Sequence, residues 1–203
     1  MVLHNAAEAF ADNWTYLKAE LHWLDRLLMV TVARQRKDTK DLDRVAQSKA
    51  DRATSHWWKG VIALDTELHD EIRKPSRPSP GSYQQQMDAR TAASLQQGIA
   101  LGLPLLRDRL KLSLFEKNLI LLAIAPEINR RYARLYRFLQ DDSPASDLPT
   151  VDLALRLLCR TDQDWREARS RLSQSLLRQY GLLRLLPADC ETLLAQTVQI
   201  DRA

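Results

Sequence analysis

Apolar residues recur along this chain with helical spacing, in blocks separated by polar stretches. The densest block, residues 113–158, organises the rest. It opens with Ser113 followed three residues later by Glu116. That is the capping box of a helix start, in which each side chain serves a backbone N–H of the other's region. An apolar run at 119–125 follows, and Pro126 is expected to break it. A second amphipathic segment, 127–141, places Tyr132, Leu135, Tyr136 and Leu139 on one side. Arg130, Arg134 and Arg137 lie on another, with Arg131 beside them. After a turn holding Asp141, Asp142 and Pro144, Thr150 is a suitable N-cap for a third apolar helix reaching Cys159. Three closely spaced helices of this kind predict a core.

Residues 7–36 predict one long helix. Phe10, Leu17 and Leu24 recur every seven residues, and so do Trp14, Leu21 and Leu28. Together they make the a/d seam of a coiled coil or an antiparallel helix pair. Residues 37–55 carry both signs of charge and few apolar anchors, so they are expected to be exposed or mobile. Residues 56–74 regain helical spacing with Trp57, Val61, Leu64, Leu68 and Ile72, and predict the partner of the first helix. Residues 75–90, PSRPSPGSYQQQMDAR, read as a flexible linker, because the Pro, Gly and Ser at their start cannot hold a helix.

Residues 91–110 are helical again, with Pro104 starting a new helix at its first position. Residues 162–172 predict a charged helix anchored by Trp165 and Leu172. Ser173 would cap one more turn, stopping at Tyr180 and Gly181. Apolar runs at 182–186 and 193–200, separated by PADCET, predict a β-hairpin. The expected architecture is mostly α. Residues 1–74 form an N-terminal helical hairpin, 75–90 a linker, and 91–203 a winged-helix domain ending in a short hairpin, the wing.

Composition narrows the function. Hydrophobic content of 45% excludes wholesale disorder, and no apolar run reaches the roughly 18 residues of a membrane span. The N-terminus MVLHNAAEAF has no basic flank ahead of an apolar core, so a cytoplasmic location is expected. Cys159 and Cys190 are too few for a disulfide framework and are not spaced as a metal clip. The net charge of +4 is unevenly shared: residues 1–74 hold 12 Lys/Arg and 12 Asp/Glu, the remainder 18 and 14. A surplus of that size permits nucleic-acid contact without arguing for it.

The chemistry is sparse. His4, His22, His56 and His69 are scattered, with no H-x-x-x-H spacing, and neither a Ser/His/Asp signature nor a glycine-rich loop occurs. No catalytic group, cofactor or metal ligand is expected. DNA binding is the competing expectation, since winged helices often read the major groove with one helix. The helix taken for that position, 150–159, offers only Thr150, Asp152 and Arg156 besides Cys159, and looks built for burial. The stripe Arg130, Arg131, Arg134 and Arg137 is the candidate partner surface. Its alternative is a solvated face paired with Glu127 and Asp141.

The segments LSLFEKNLILLAIAPEINRRYARLYRFLQDD and PTVDLALRLLC resemble the winged-helix region preceding the ATPase module in a group of bacterial AAA-type ATPases. Those proteins are often encoded with extracellular contractile injection systems. LLRQYGLLRLL resembles that group's passage into the wing, WTYLKAELHWLDRLL its N-terminal helix, and VQIDRA the link toward the ATPase module. The resemblance implies a protein–protein interaction region serving particle assembly, cargo or substrate handling, within a full-length relative that forms a ring oligomer. Its ATPase activity does not carry over. No G-x-x-x-x-G-K-[ST] is present to cradle phosphates.

Overall fold

The computed structural model describes residues 8–46, 80–140, 147–186 and 192–201. Helix α1 (Asn13–Ala46) begins where Asp12 Oδ1 accepts the Thr15 amide at 2.6 Å. That contact satisfies one donor left orphaned at a helix start. It fixes the start later than the apolar pattern predicts, and the helix runs on through the charged residues to Ala46. Leu21, Leu24 and Leu28 are buried as the seam requires, but Trp14 is 50% exposed, with the Lys18 ammonium 5.7 Å from its ring centroid. The inward face instead takes Tyr16, Glu20, Leu27 and Val32. A narrow seam serves one partner, whereas α1 packs on several elements and needs a broader stripe. The expected second arm of the hairpin, residues 56–74 with Trp57, lies outside the described residues.

Helix α2 (Pro80–Gln96) corrects the linker expectation. Residues 80–90 are helical and docked, while 75–79 lie outside the described residues. The Tyr83 ring stacks on Trp23 at 5.8 Å, and its hydroxyl donates to the Ala19 carbonyl at 3.1 Å. Met87 joins Phe10, Tyr16 and Leu101 in a small core. The Phe10 amide donates to Ser94 Oγ at 2.8 Å, and the Arg90 guanidinium covers the Phe10 ring at 4.0 Å. The Gln-rich stretch thus carries a docking face that its composition conceals. Helix α2 gives way to Gly98, whose φ of 75° suits glycine. In helix α3 (Gly102–Leu110) Pro104 sits within the first turn.

Helix α4 (Leu114–Ile128) starts with the expected capping box. From Leu119 to Ala125 every side chain is buried apart from half-buried Ile124. A helix apolar on all sides belongs at the centre, and α1, helix α5 (Arg131–Leu139), helix α6 (Val151–Leu158) and strand β2 (Thr197–Ile200) pack around it. The expected break at Pro126 does not occur. Proline lacks the N–H that would bond the Leu122 carbonyl four residues back. The buried Tyr136 hydroxyl donates to that carbonyl at 2.9 Å, so the helix continues to Ile128. Because Leu21, Leu24 and Leu28 share one core with Leu121 and Leu153, α1 and the C-terminal helices are a single packed body.

Thr150 caps α6 by accepting the Leu153 amide at 3.2 Å, as expected. Helix α7 (Asp162–Ser173) has its own capping box on Thr161 and Asp164. The short helix α8 (Leu176–Gln179) is capped by Ser175 rather than Ser173. The chain turns at Gly181, φ 65°, into the hairpin of β1 (Leu183–Leu186) and β2. Residues Leu193–Ala195 form a 3-10 turn, so the second apolar run is strand only at its end. Thr150 bridges Thr197 on the outer side of β2. The order is bridge, two helices, a short turn of helix, then hairpin: mostly α, with a terminal wing.

Candidate partner surface

The arginine stripe is divided by its surroundings. Arg131 lies 3.7 Å from Asp25 on α1, and Arg137 pairs with Asp147. Arg130 and Arg134 are exposed. Two of the four candidate residues are therefore engaged in holding α5 to its neighbours, and two present their charge outward. Asp141, an expected partner, lies outside the described residues. The end of α5 is also clamped to the bridge segment. Gln140 accepts the Thr150 amide at 2.6 Å and donates to the Leu148 carbonyl at 3.2 Å, while Arg156 donates to the Leu139 carbonyl at 3.0 Å.

The bridge at Thr150 changes which helix occupies the reading position. Helix α6 follows it directly and buries Val151, Leu153, Ala154, Leu155 and Leu157. Its outward Asp152 and Arg156 pair with each other at 2.8 Å. Helix α7 comes second and stands ahead of the wing, the place of a recognition helix. It buries Ala168 and Leu172 and half-buries Trp165, and its other described side chains are exposed. Asp162, Asp164 and Glu167 balance Arg166, Arg169 and Arg171 along it. The Thr161 and Arg160 amides bond Asp164 and hold its carboxyl below the usual range. Arg169 rests on the Trp165 ring at 5.3 Å.

A family model described as winged helix domain, variant, matches residues 3–203. The chain belongs to that family. No curated protein and no solved structure matches it.

Within this winged helix the least expected residues are Glu20 and Lys117, which are 1% and 2% exposed. Lys117 Nζ donates to Glu20 Oε1 at 2.6 Å, and the Tyr16 hydroxyl donates to the same oxygen at 2.6 Å. Burial lowers the pKa of Lys117, and the Glu20 charge pulls it back up. Burial and the same carboxylate keep Tyr16 protonated far above its ordinary range. Glu20 and Lys117 also line a cavity of about 250 Å³ shared with Met87, Asp88 and Arg107. The sequence signal is local: Tyr16 and Glu20 are one turn apart, and Lys117 sits two residues before an apolar run. A second buried carboxylate, Glu116, accepts from Ser113 and, at 3.3 Å, from Ser175 Oγ, joining the start of α4 to the cap of α8.

Among the described residues, no three His, Cys, Asp or Glu side chains gather in a metal-sized group. Cys159 is half-buried at the end of α6, where burial pushes its thiol up to about 11, with Asp164 adding to the rise. A thiol so placed is almost wholly protonated at neutral pH and a poor nucleophile. No helix among the described residues is long and apolar enough to cross a membrane.

Proposed function

We propose that this winged helix is a non-catalytic protein–protein interaction region. By the resemblance in 112–142 and 149–159, we place it as the N-terminal part of a cytoplasmic bacterial AAA-type ATPase serving a contractile injection system, in assembly, cargo or substrate handling. The observation that carries the interaction reading is the charge of α7. The helix presented for contact has three acids against three arginines, with Asp162 and Asp164 at its leading end. Phosphates approaching that end would meet carboxylates, whereas a protein surface of mixed charge would find complements. Arg130 and Arg134 add a second outward patch on α5.

DNA binding is the other reading, and the position of α7 with Arg166, Arg169 and Arg171 favours it. The test sets the two against each other. A mixed-sequence duplex should keep its mobility beside the full chain at low salt. A shift that weakens steeply as salt rises would establish the DNA reading instead. The ATPase context is tested by the reading frame after Ala203, where an AAA-type module is expected. Co-purification with the products of neighbouring injection-system genes should depend on Arg130 and Arg134.

A further inference from the structure

Glu20 is only half satisfied. Its Oε1 accepts from both Lys117 Nζ and the Tyr16 hydroxyl, whereas Oε2 is buried and has no hydrogen-bond partner. A buried, unpaired carboxylate oxygen is a cost that native cores seldom carry unless something from outside the chain meets it.

Glu20 lies on the wall of the cavity of about 250 Å³, which is a cleft with a floor and a rim. At the floor Tyr16, Glu20, Met87 and Lys117 are buried, while at the rim Asp88, Ala92, Leu95 and Asp108 are exposed. One stripe of α2, three and four residues apart from 84 to 95, supplies one wall, and α3 supplies another from 104 to 108. Three carboxylates line the cleft against two cations. Lys117 is taken by Glu20, and Arg107 lies 3.6 Å from Asp88. Asp108 has no ion-pair partner among the described residues. The volume falls below the roughly 300–1,000 Å³ of pockets that enclose drug-sized ligands, and suits a single long side chain.

We propose that this cleft receives an arginine side chain from a protein partner, its guanidinium meeting Glu20 Oε2 and its stem lying against Met87, Leu95 and Pro104. This rests on the interaction reading above and names the side chain that the partner supplies. A water would give Oε2 a hydrogen bond but would leave the surplus carboxylate unanswered. A guanidinium presents five N–H donors in a planar fork to carboxylates on different walls, where an ammonium offers a compact charge with three. A duplex offers phosphates, which these carboxylates repel.

The experiment is an NMR titration of the full chain with acetyl-Ala-Arg-Ala-amide. The same peptide carrying lysine, or the neutral isostere citrulline, is titrated beside it. The arginine peptide should shift the Met87 methyl, the Leu95 and Asp108 amides and the Glu20 carboxyl carbon. The lysine peptide should bind several-fold more weakly and the citrulline peptide not at all. Asp108→Asn should weaken binding about fivefold, the upper range for one exposed charge pair. Ala92→Phe, at an exposed position of the rim, fills the cleft and should abolish binding with every charge unchanged. Citrulline bound as well as arginine, or natural affinity in Ala92→Phe, overturns the proposal. So does a Glu20 carboxyl that stays fixed while the rim resonances move, since that is pairing at the surface alone. Free arginine bound more tightly than the blocked peptide assigns the cleft to a free amino acid instead. Concentration-dependent pairing of copies that moves the same resonances likewise overturns the partner's arginine. Cleft resonances unmoved by the arginine peptide remove this site and leave the interaction reading standing. A duplex that shifts the resonances of α7 overturns that reading itself, whatever the cleft binds.

Discussion

Tyr136→Phe removes a single oxygen and should destabilise the protein through a residue it does not adjoin in sequence. The hydroxyl stands in for the amide that Pro126 lacks, donating to the Leu122 carbonyl at 2.9 Å in the centre of the core. Without it that carbonyl is buried and unpaired, which costs about 1–3 kcal/mol. Taking about 2 kcal/mol, a domain of this size should melt about 6 °C lower. The decisive assay is a double-mutant cycle. Pro126→Ala returns an N–H to the helix ladder, so Leu122 keeps one donor when Tyr136 is changed. In that background Tyr136→Phe should lose about 1 kcal/mol less than in the natural chain, measured by urea midpoints. An equal loss in both backgrounds would refute the account of why α4 passes through proline.

Three further outcomes follow from the buried polar groups and the thiol. Glu20→Gln or Lys117→Met alone should cost about 3–5 kcal/mol, because each strands a buried partner. Replacing the triad together, Glu20→Leu with Lys117→Met and Tyr16→Phe, should restore most of that in urea melts; additive losses would contradict it. Stability should fall as pH rises past about 10, the ordinary tyrosine value. The unfolded chain releases these protons while burial keeps Tyr16 and Tyr136 protonated, each contributing up to about 1.4 kcal/mol per pH unit. Melting temperatures across that range check it, and a flat profile argues against burial of these hydroxyls. In a Cys190→Ser variant, alkylation of Cys159 should be slow at neutral pH and accelerate toward about pH 11. Rapid labelling at pH 7 would show an activated thiol.

The central helices were legible because their chemistry is local. A capping box needs only Ser113 and Glu116, and a run of seven apolar residues has few places to go but a core. Thr150 and Gly181 likewise act locally, one through its hydroxyl on the Leu153 amide and the other through its own backbone. Where expectation and structure part, a distant group intervenes. Pro126 breaks a helix only if nothing replaces its N–H, and Tyr136 does so from the next helix. The stretch at 80–90 lacks a long apolar stripe, yet Tyr83 and Met87 suffice once Trp23 and Phe10 are there to receive them. The pattern points to residues 150–159 for the reading position because a one-residue β-bridge leaves no periodicity to detect. As for the stripe on α5, repetition of arginine shows a charged face. It does not show that Asp25 and Asp147 already hold two of the four.

The Glu20–Lys117 contact joins residues 97 apart in the chain. On a ribosome adding about 5–20 residues per second, the carboxylate exists for about 5–20 s before its ammonium is made. Throughout that interval docking of α1 carries the cost of burying Glu20 without its cation. The order of synthesis therefore sets the order of assembly. Helix α1 emerges well before α4 and is sealed only with residues far downstream.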